Sequence, residues 1–329
     1  MKRLLVLLIA GLIAVIAGSV WAIPAAFSIY ELPTAQSLPA RISKDSSGHI
    51  WFIESDGNKI GKFQFSSKHF TEFDIPTTRS FPSDIVIDHD RNVWFVEQNA
   101  NQLGVFDPVS EAFEEYDIPT VDSLPYRITS DANGKIWFTE FDGNKLGMFD
   151  PVEETFREFP IPTPHSQPTG IAIDQENRIW FLETQGNKLG MLDPDKGVIE
   201  EFDLPNPFEV PTELTIDQAG IVWFAGRKGR KLMAFDPSDM SFKEFRIPSE
   251  GVIGGLVASE DRKIFYSLGN SGTLGIFDLE RQESFEFEIL LGDSQFSDID
   301  IDENGDIWLV DIRKDILVNV DAHAVSSAW

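Results

Sequence analysis

The stretch Lys135-Ile-Trp-Phe-Thr-Glu-Phe-Asp-Gly-Asn-Lys-Leu-Gly-Met-Phe-Asp-Pro151 decides how the rest of the chain is read, because the chain keeps repeating it. Ile50-Trp51-Phe52-Ile53-Glu54, Val93-Trp94-Phe95-Val96-Glu97, Ile179-Trp180-Phe181-Leu182-Glu183 and Val222-Trp223-Phe224-Ala225 are versions of its first half. Tryptophans stand at 51, 94, 137, 180 and 223, a step of 43 residues each time. Phe265 follows after 42 and Trp308 after 43 more, which makes seven copies. A fixed period of this length predicts stacked supersecondary units in one body rather than unrelated domains.

Within one copy the pattern is strand-like throughout. Across 168–204, Gly170-Ile-Ala-Ile-Asp174 alternates, and Gln175 to Arg178 is a polar turn. Ile179 to Glu183 is the aromatic strand, followed by a Gly-Asn turn. Lys188 to Leu192 and Val198 to Leu204 complete the unit, which Pro205 ends. Four short strands bounded by Asp, Asn, Gly or Pro are hairpin chemistry. About 43 residues per four strands predicts one blade of a propeller, so the chain reads as an all-β, seven-bladed β-propeller of antiparallel four-stranded blades. The seventh copy lacks its fourth strand. Phe27-Ser-Ile-Tyr-Glu-Leu-Pro-Thr34 aligns with Phe156-Arg-Glu-Phe-Pro-Ile-Pro-Thr163 and supplies it, so an N-terminal strand is expected to complete the last blade and leave no open edge.

The chain has 329 residues, 42% of them hydrophobic, including 27 Phe and 8 Trp, which is ample for a large core. Its formal net charge of −27 sets it against nucleic acid and anionic membrane surfaces. Residues 1–22 stand apart: a basic start at Met1-Lys2-Arg3, an apolar run from Leu4 to Ala17, and small residues at Val20 and Ala22 around Trp21. This predicts a signal peptide or an uncleaved anchor, with 23–329 as one propeller domain. A secreted or cell-envelope location outside the cytoplasm follows, with no other membrane insertion. The absence of cysteine removes disulfide and thiolate chemistry.

Propeller geometry sorts the loops onto two faces. The turn after each second strand and the start of each first strand share an upper face around the central channel. Two columns of residues there are candidate ligand sites. One is the glutamate that ends the aromatic strand: Glu54, Glu97, Glu140 and Glu183. A ring of these would favour a cation or raised pKa values. The other lies two residues after the opening proline: Arg41, Asp84, Arg127, Gly170 and Glu213, with Asp298 in the last unit. Its chemistry varies on a constant frame, which is where a ligand would be read, and Tyr126 beside Arg127 adds an aromatic surface.

Other features carry less. His165 is an upper-loop histidine, and Arg227-Lys228-Gly229-Arg230-Lys231 is a basic run in an acidic chain. Asp300-x-Asp302-x-Asn304-Gly305-x₅-Asp311 nearly fits a calcium loop, but the same register recurs at Asp131 and Asp174 as the ordinary turn of the unit. No nucleophile elbow, zinc-spaced histidine pair, Walker loop or dinucleotide fingerprint occurs.

The unit Trp-Phe-x-Glu-x-x-x-Asn-Lys-hydrophobic-Gly, followed by Glu-Phe-x-Ile-Pro-Thr, resembles the streptogramin B lyase (virginiamycin B lyase) family over nearly all of 27–320. Trp137 to Gly147 with Arg157 to Thr163 fits especially well. The resemblance implies a seven-bladed propeller and a magnesium-dependent elimination that opens the ester of a cyclic depsipeptide. It also implies catalytic histidines directly after the opening proline in two late blades. Those positions here are Ala40, Ser83, Tyr126, Thr169, Thr212, Gly254 and Ser297. Where the family carries its late-blade catalytic glutamate, this chain has Ala225, Ser267 and Asp311.

The expectation is therefore an exported lyase-like propeller that binds a small molecule or peptide at its upper face without that elimination. Arg41, Glu54, Glu97, Tyr126, Arg127, Glu140 and Glu183 are the candidate ligand residues, with no catalytic or metal-ligating residue assigned. Mg²⁺ enters only through the resemblance. The alternatives are a diverged C–O lyase or metal-assisted lactonase-type hydrolase using the glutamate ring, and a structural or interaction propeller at the cell surface.

Overall fold

A computed structural model of the chain describes residues 27–205, 210–226, 231–289 and 291–321, with the backbone of Leu12–Ile16 and Ser19–Ile23. Seven antiparallel sheets succeed one another. Their inner strands are Pro39–Lys44, Pro82–Ile87, Pro125–Ser130, Pro168–Ile173, Pro211–Ile216, Ile253–Ala258 and Phe296–Ile301. Each is followed by its second, third and outer strands in order. In blade seven the third strand, Ile316–Val320, pairs with Phe27–Glu31, and the register runs from Phe27 opposite Val320 to Glu31 opposite Ile316. The ring closes as the sequence predicts. Leu12–Ile16 pairs with the outer strand of blade six and with Ser19–Ile23, a hairpin that closure does not use.

The repeated residues are the ones that hold blade to blade. In six of the seven blades the aromatic strand sends an indole into the interface with the next blade. The ring centroid of Trp51 lies 6.0 Å from that of Phe106, Trp94 5.8 Å from Phe149, and Trp223 5.4 Å from Phe277. These rings are almost wholly buried, so each indole N–H needs an acceptor. An aspartate six residues upstream provides it. Trp51, Trp94, Trp137, Trp180, Trp223 and Trp308 donate to Asp45, Asp88, Asp131, Asp174, Asp217 and Asp302 at 2.7 to 3.1 Å. The other oxygen of Asp302 accepts the Asn304 and Asp306 amides. The calcium-like register is thus a turn that seats a tryptophan.

The Asn-Lys-x-Gly half of the unit has equally local causes. Asn58 donates to the Ile75 and Thr77 carbonyls and accepts from the Ser80 amide, fastening the connection to the next blade. The outer-strand glutamates cross the interface: Glu72, Glu115 and Glu201 accept from both the amide and the hydroxyl of Thr34, Thr77 and Thr163. Lys59 and Lys188 complete two of these clusters. The glycine is steric. A Cβ on Gly147 would lie 2.1 Å from Cζ of Phe138, which lies flat across it.

Candidate functional site

Every inner strand breaks register directly after its opening residue, as at Pro39/Arg41, Pro82/Asp84 and Pro211/Glu213. The same irregularity recurs in the other four blades. A bulge re-aims side chains at a strand end. Here it divides the two residues after the opening position: the first lines the upper mouth and the second plugs the channel.

The plug is an ion-pair network between distant blades. Arg41 of blade one donates through Nη2 to Glu213 Oε1 of blade five at 2.7 Å, and through Nη1 to Asp298 Oδ1 of blade seven at 2.9 Å. Arg127 of blade three reaches the same Glu213 oxygen at 2.7 Å. Gly170 and Gly255 hold the column's remaining places, where a Cβ would press on neighbouring backbone. Asp298 Oδ2 accepts the Ile42 amide, and Asp84 accepts the Ile85 and Ile128 amides. All five charged residues are buried. Burial opposes the charge of Arg41, yet Glu213, Asp298 and Asp84 hold its pKa well above the ordinary value. Burial pushes Asp84 up to about 7, with Arg41 pulling the other way. Asp298 is raised by the same cause.

Above the plug lies a cavity of about 260 Å³ whose wall includes Ala40, Ser83, Tyr126, Thr212, Gly254 and Ser297, with Arg41, Arg127 and Glu213. Leu38, Phe81, Val252 and Ile312 give it an apolar rim. The Arg127 guanidinium sits 4.3 Å from the Tyr126 ring centroid, and Tyr126 packs on Phe141 at 5.7 Å. Ser83 and Ser297 donate to the carbonyls of Pro125 and Pro39, the opening residues of the next blades round the ring. Thr169 and Thr184 both reach the Pro211 carbonyl. The mouth hydroxyls therefore stitch the inner strands together. Arg127 Nε is buried and finds no hydrogen-bond partner among the described residues.

The glutamates lie elsewhere. Glu54, Glu97, Glu140 and Glu183 are fully buried in four separate niches, one per blade. Their second strand is one strand removed from the channel, so its side chains point into blade interfaces. Glu54 lies beside Ser37, Gly57, Lys59 and Glu72, and Glu140 beside Ser123, Gly143, Lys145 and Glu158. The expected ring of carboxylates does not form. Burial raises Glu54 and Glu97 to about 7 and Glu140 and Glu183 to about 8. Among the described residues no group of three His, Cys, Asp or Glu side chains is arranged to hold a metal ion. The mouth carboxylate, Glu213, already faces two guanidinium groups. Among the described residues the mouth lining offers Mg²⁺ no carboxylate besides this paired one.

Of the residues singled out from sequence, Arg41, Tyr126 and Arg127 come together at the mouth. Glu213 is the shared partner that sequence reasoning placed in the right column but did not weight. His165 is exposed in its upper loop, and Arg227 to Arg230 lie outside the described residues.

The model of the virginiamycin B lyase family matches residues 21–235. The chain belongs to the virginiamycin B lyase family. A crystal structure of virginiamycin B lyase from Staphylococcus aureus superposes with a TM-score of 0.85 at 26% identity, covering 90% of this chain and 99% of that one. A catalytically inactive histidine-to-alanine variant of the S. aureus enzyme with quinupristin gives 0.83 at 26% identity, over 89% of this chain and 99% of that one. Kuenenia stuttgartiensis hydrazine synthase, at 12% identity, a TM-score of 0.75 and coverage of 88% and 97%, shares the fold alone. No curated protein sequence matches significantly.

Proposed function

We propose that this member of the virginiamycin B lyase family binds a small molecule or peptide in the upper mouth without catalysing streptogramin elimination. The observation that carries the binding half is the unpartnered Nε of Arg127 in the cavity wall, beneath an aromatic ring. A buried donor of this kind calls for an acceptor, which a ligand carbonyl or carboxylate would provide. The apolar rim would take the body of such a ligand.

Elimination next to a carbonyl needs a base within hydrogen-bond reach of the proton removed. The first bulge position carries no imidazole in any blade, and its hydroxyls at Ser83, Thr169 and Ser297 donate to proline carbonyls. Asp84 has a suitable pKa, but two backbone amides hold it within the plug. The alternative, a diverged C–O lyase, draws on the 26% identity to the S. aureus enzyme. We also propose export, on the composition of residues 1–22.

Quinupristin, named with the S. aureus variant, serves as the probe. Incubation with the full chain is expected to leave it cyclic by mass spectrometry. Ring opening at an ordinary enzymatic rate, about 1 s⁻¹ or more, contradicts the reading. Calorimetry with the same probe tests the mouth: Tyr126→Ala and Arg127→Gln are expected to weaken any binding at least tenfold.

A further inference from the structure

The interface between blades five and six differs from its counterparts on the lower face. In each blade one third-strand residue lies opposite the interface aromatic. It is Lys62, Val105, Met148, Met191, Ile276 or Asn319 in six blades, and Ala234 opposite Trp223 in blade five. The residue two before the aromatic is likewise His49, Asn92, Lys135, Arg178, Lys263 or Asp306, but Ile221 in blade five. In blades one and four a long cationic side chain covers the indole. Lys62 Nζ lies 5.1 Å from the Trp51 ring centroid and the Arg178 guanidinium 5.6 Å from that of Trp180. At Trp223 the corresponding residues are the small Ala234 and the uncharged Ile221, and a cavity of about 450 Å³ opens.

Its floor is apolar: Ile221, Trp223, Ala234, Phe245, Phe277 and Leu279. The rim carries both signs of charge. Asp217 accepts the Trp223 indole and two turn amides, and Asp236 accepts from Ser238. Arg262 pairs with Glu280 at 2.8 Å. Lys243 is exposed and lies near enough to Asp236, in the same wall, to act on its carboxylate. Ser241 Oγ, in the same wall, is buried without a hydrogen-bond partner. An apolar cleft of this size with a few convergent polar groups has the composition of a small-ligand site.

We infer that this lower-face cleft binds a flat aromatic molecule carrying one carboxylate or sulfonate. The ring would lie over Trp223 and Phe245, and the anion would meet Lys243 and the Ser241 hydroxyl. The site is on the opposite face from the upper mouth and stands or falls independently of it.

The test is a fluorescence titration of the full chain with 1-anilinonaphthalene-8-sulfonate, with 2-naphthoate as competitor. One saturable site is expected, with Kd on the order of 10–100 μM for a ligand of this size. Ala234→Met, which copies Met148 and Met191, should weaken binding at least tenfold while leaving the melting temperature unchanged or higher. Ile221→Arg, which copies Arg178, should do the same. Lys243→Gln should weaken binding several-fold and flatten its salt dependence, whereas Tyr126→Ala should have no effect. Absence of saturable binding, or binding that Ala234→Met and Ile221→Arg leave intact, overturns the inference.

Discussion

Arg41 and Glu213, 172 residues apart in sequence and on blades one and five, meet at 2.7 Å inside the channel. The contact exists only because the ring is closed, and it makes the channel a packed polar core instead of an open pore. A buried carboxylate shared by two guanidinium groups is costly to remove singly. Glu213→Gln is expected to destabilise the protein by about 3–5 kcal/mol in urea denaturation, because Arg41 and Arg127 lose their common partner. Replacing Arg41, Arg127 and Glu213 together with apolar residues should cost much less. Equal losses would show that the network is not a unit.

The buried glutamates make stability depend on pH in an unusual direction. Glu54, Glu97, Glu140 and Glu183 hold their protons up to about pH 7 to 8 in the folded ring, and only to about 4.3 when unfolded. The folded state therefore binds more protons across that window, so stability is greatest below it and falls as pH rises through 7 to 8. Thermal melts should give a higher midpoint at pH 5 than at pH 8.5. Glu140→Gln should flatten that slope and add about 1–2 kcal/mol at pH 8.5. A midpoint that rises with pH would contradict the niche reading.

The tryptophan seats can be tested against the blade that lacks one. Asp174 accepts the Trp180 indole and the Glu176 and Arg178 amides. Asp174→Ala should cost about 2–4 kcal/mol, since four donors lose their acceptor, Arg178 Nε and a buried indole among them. In blade six Ser259 stands at the aspartate's place and Phe265 at the tryptophan's. Without an indole N–H there is no buried donor to satisfy. Ser259→Ala should cost under about 1 kcal/mol. Chemical denaturation of the two variants separates the cases.

Gly147 tests close packing in the blade itself. A methyl group there would overlap Phe138, and overpacking of this kind costs about 1–3 kcal/mol. Gly220, with no heavy atom near its Cβ direction but φ of +79°, should show on Gly220→Ala only the smaller backbone penalty of about 1 kcal/mol. Reversal of that order would mean the ring moves aside.

Much of the fold was legible because each repeated residue has a local job: Asp131 seats Trp137, Gly147 makes room for Phe138, and Asn144 fastens the next connection. The closing strand was legible too, since Phe27 to Thr34 matches an outer strand elsewhere. The channel column was visible as Arg41, Asp84, Arg127 and Glu213. What spacing could not give was the partner of each, because Arg41 and Glu213 meet only through ring curvature. The glutamates misled for a simpler reason. Height along a strand places Glu54 near the upper face, but only the innermost strand borders the channel, and Glu54 stands on the second. In blade six Phe265 and Ser259 are a matched loss of donor and acceptor.

All of the site geometry depends on a closed seven-bladed ring completed by Phe27–Glu31. Phe27, Tyr30 and Leu32 are buried against blade seven and its neighbour. The most direct measurement is the melting temperature of two truncations, one beginning at Ile23 and one at Pro33. The chain from Ile23 should melt like the full-length protein. The chain from Pro33 should fail to fold or melt lower by on the order of 10 °C or more. An unchanged melt for the chain from Pro33 would contradict the closure and, with it, the mouth, the plug and the cleft.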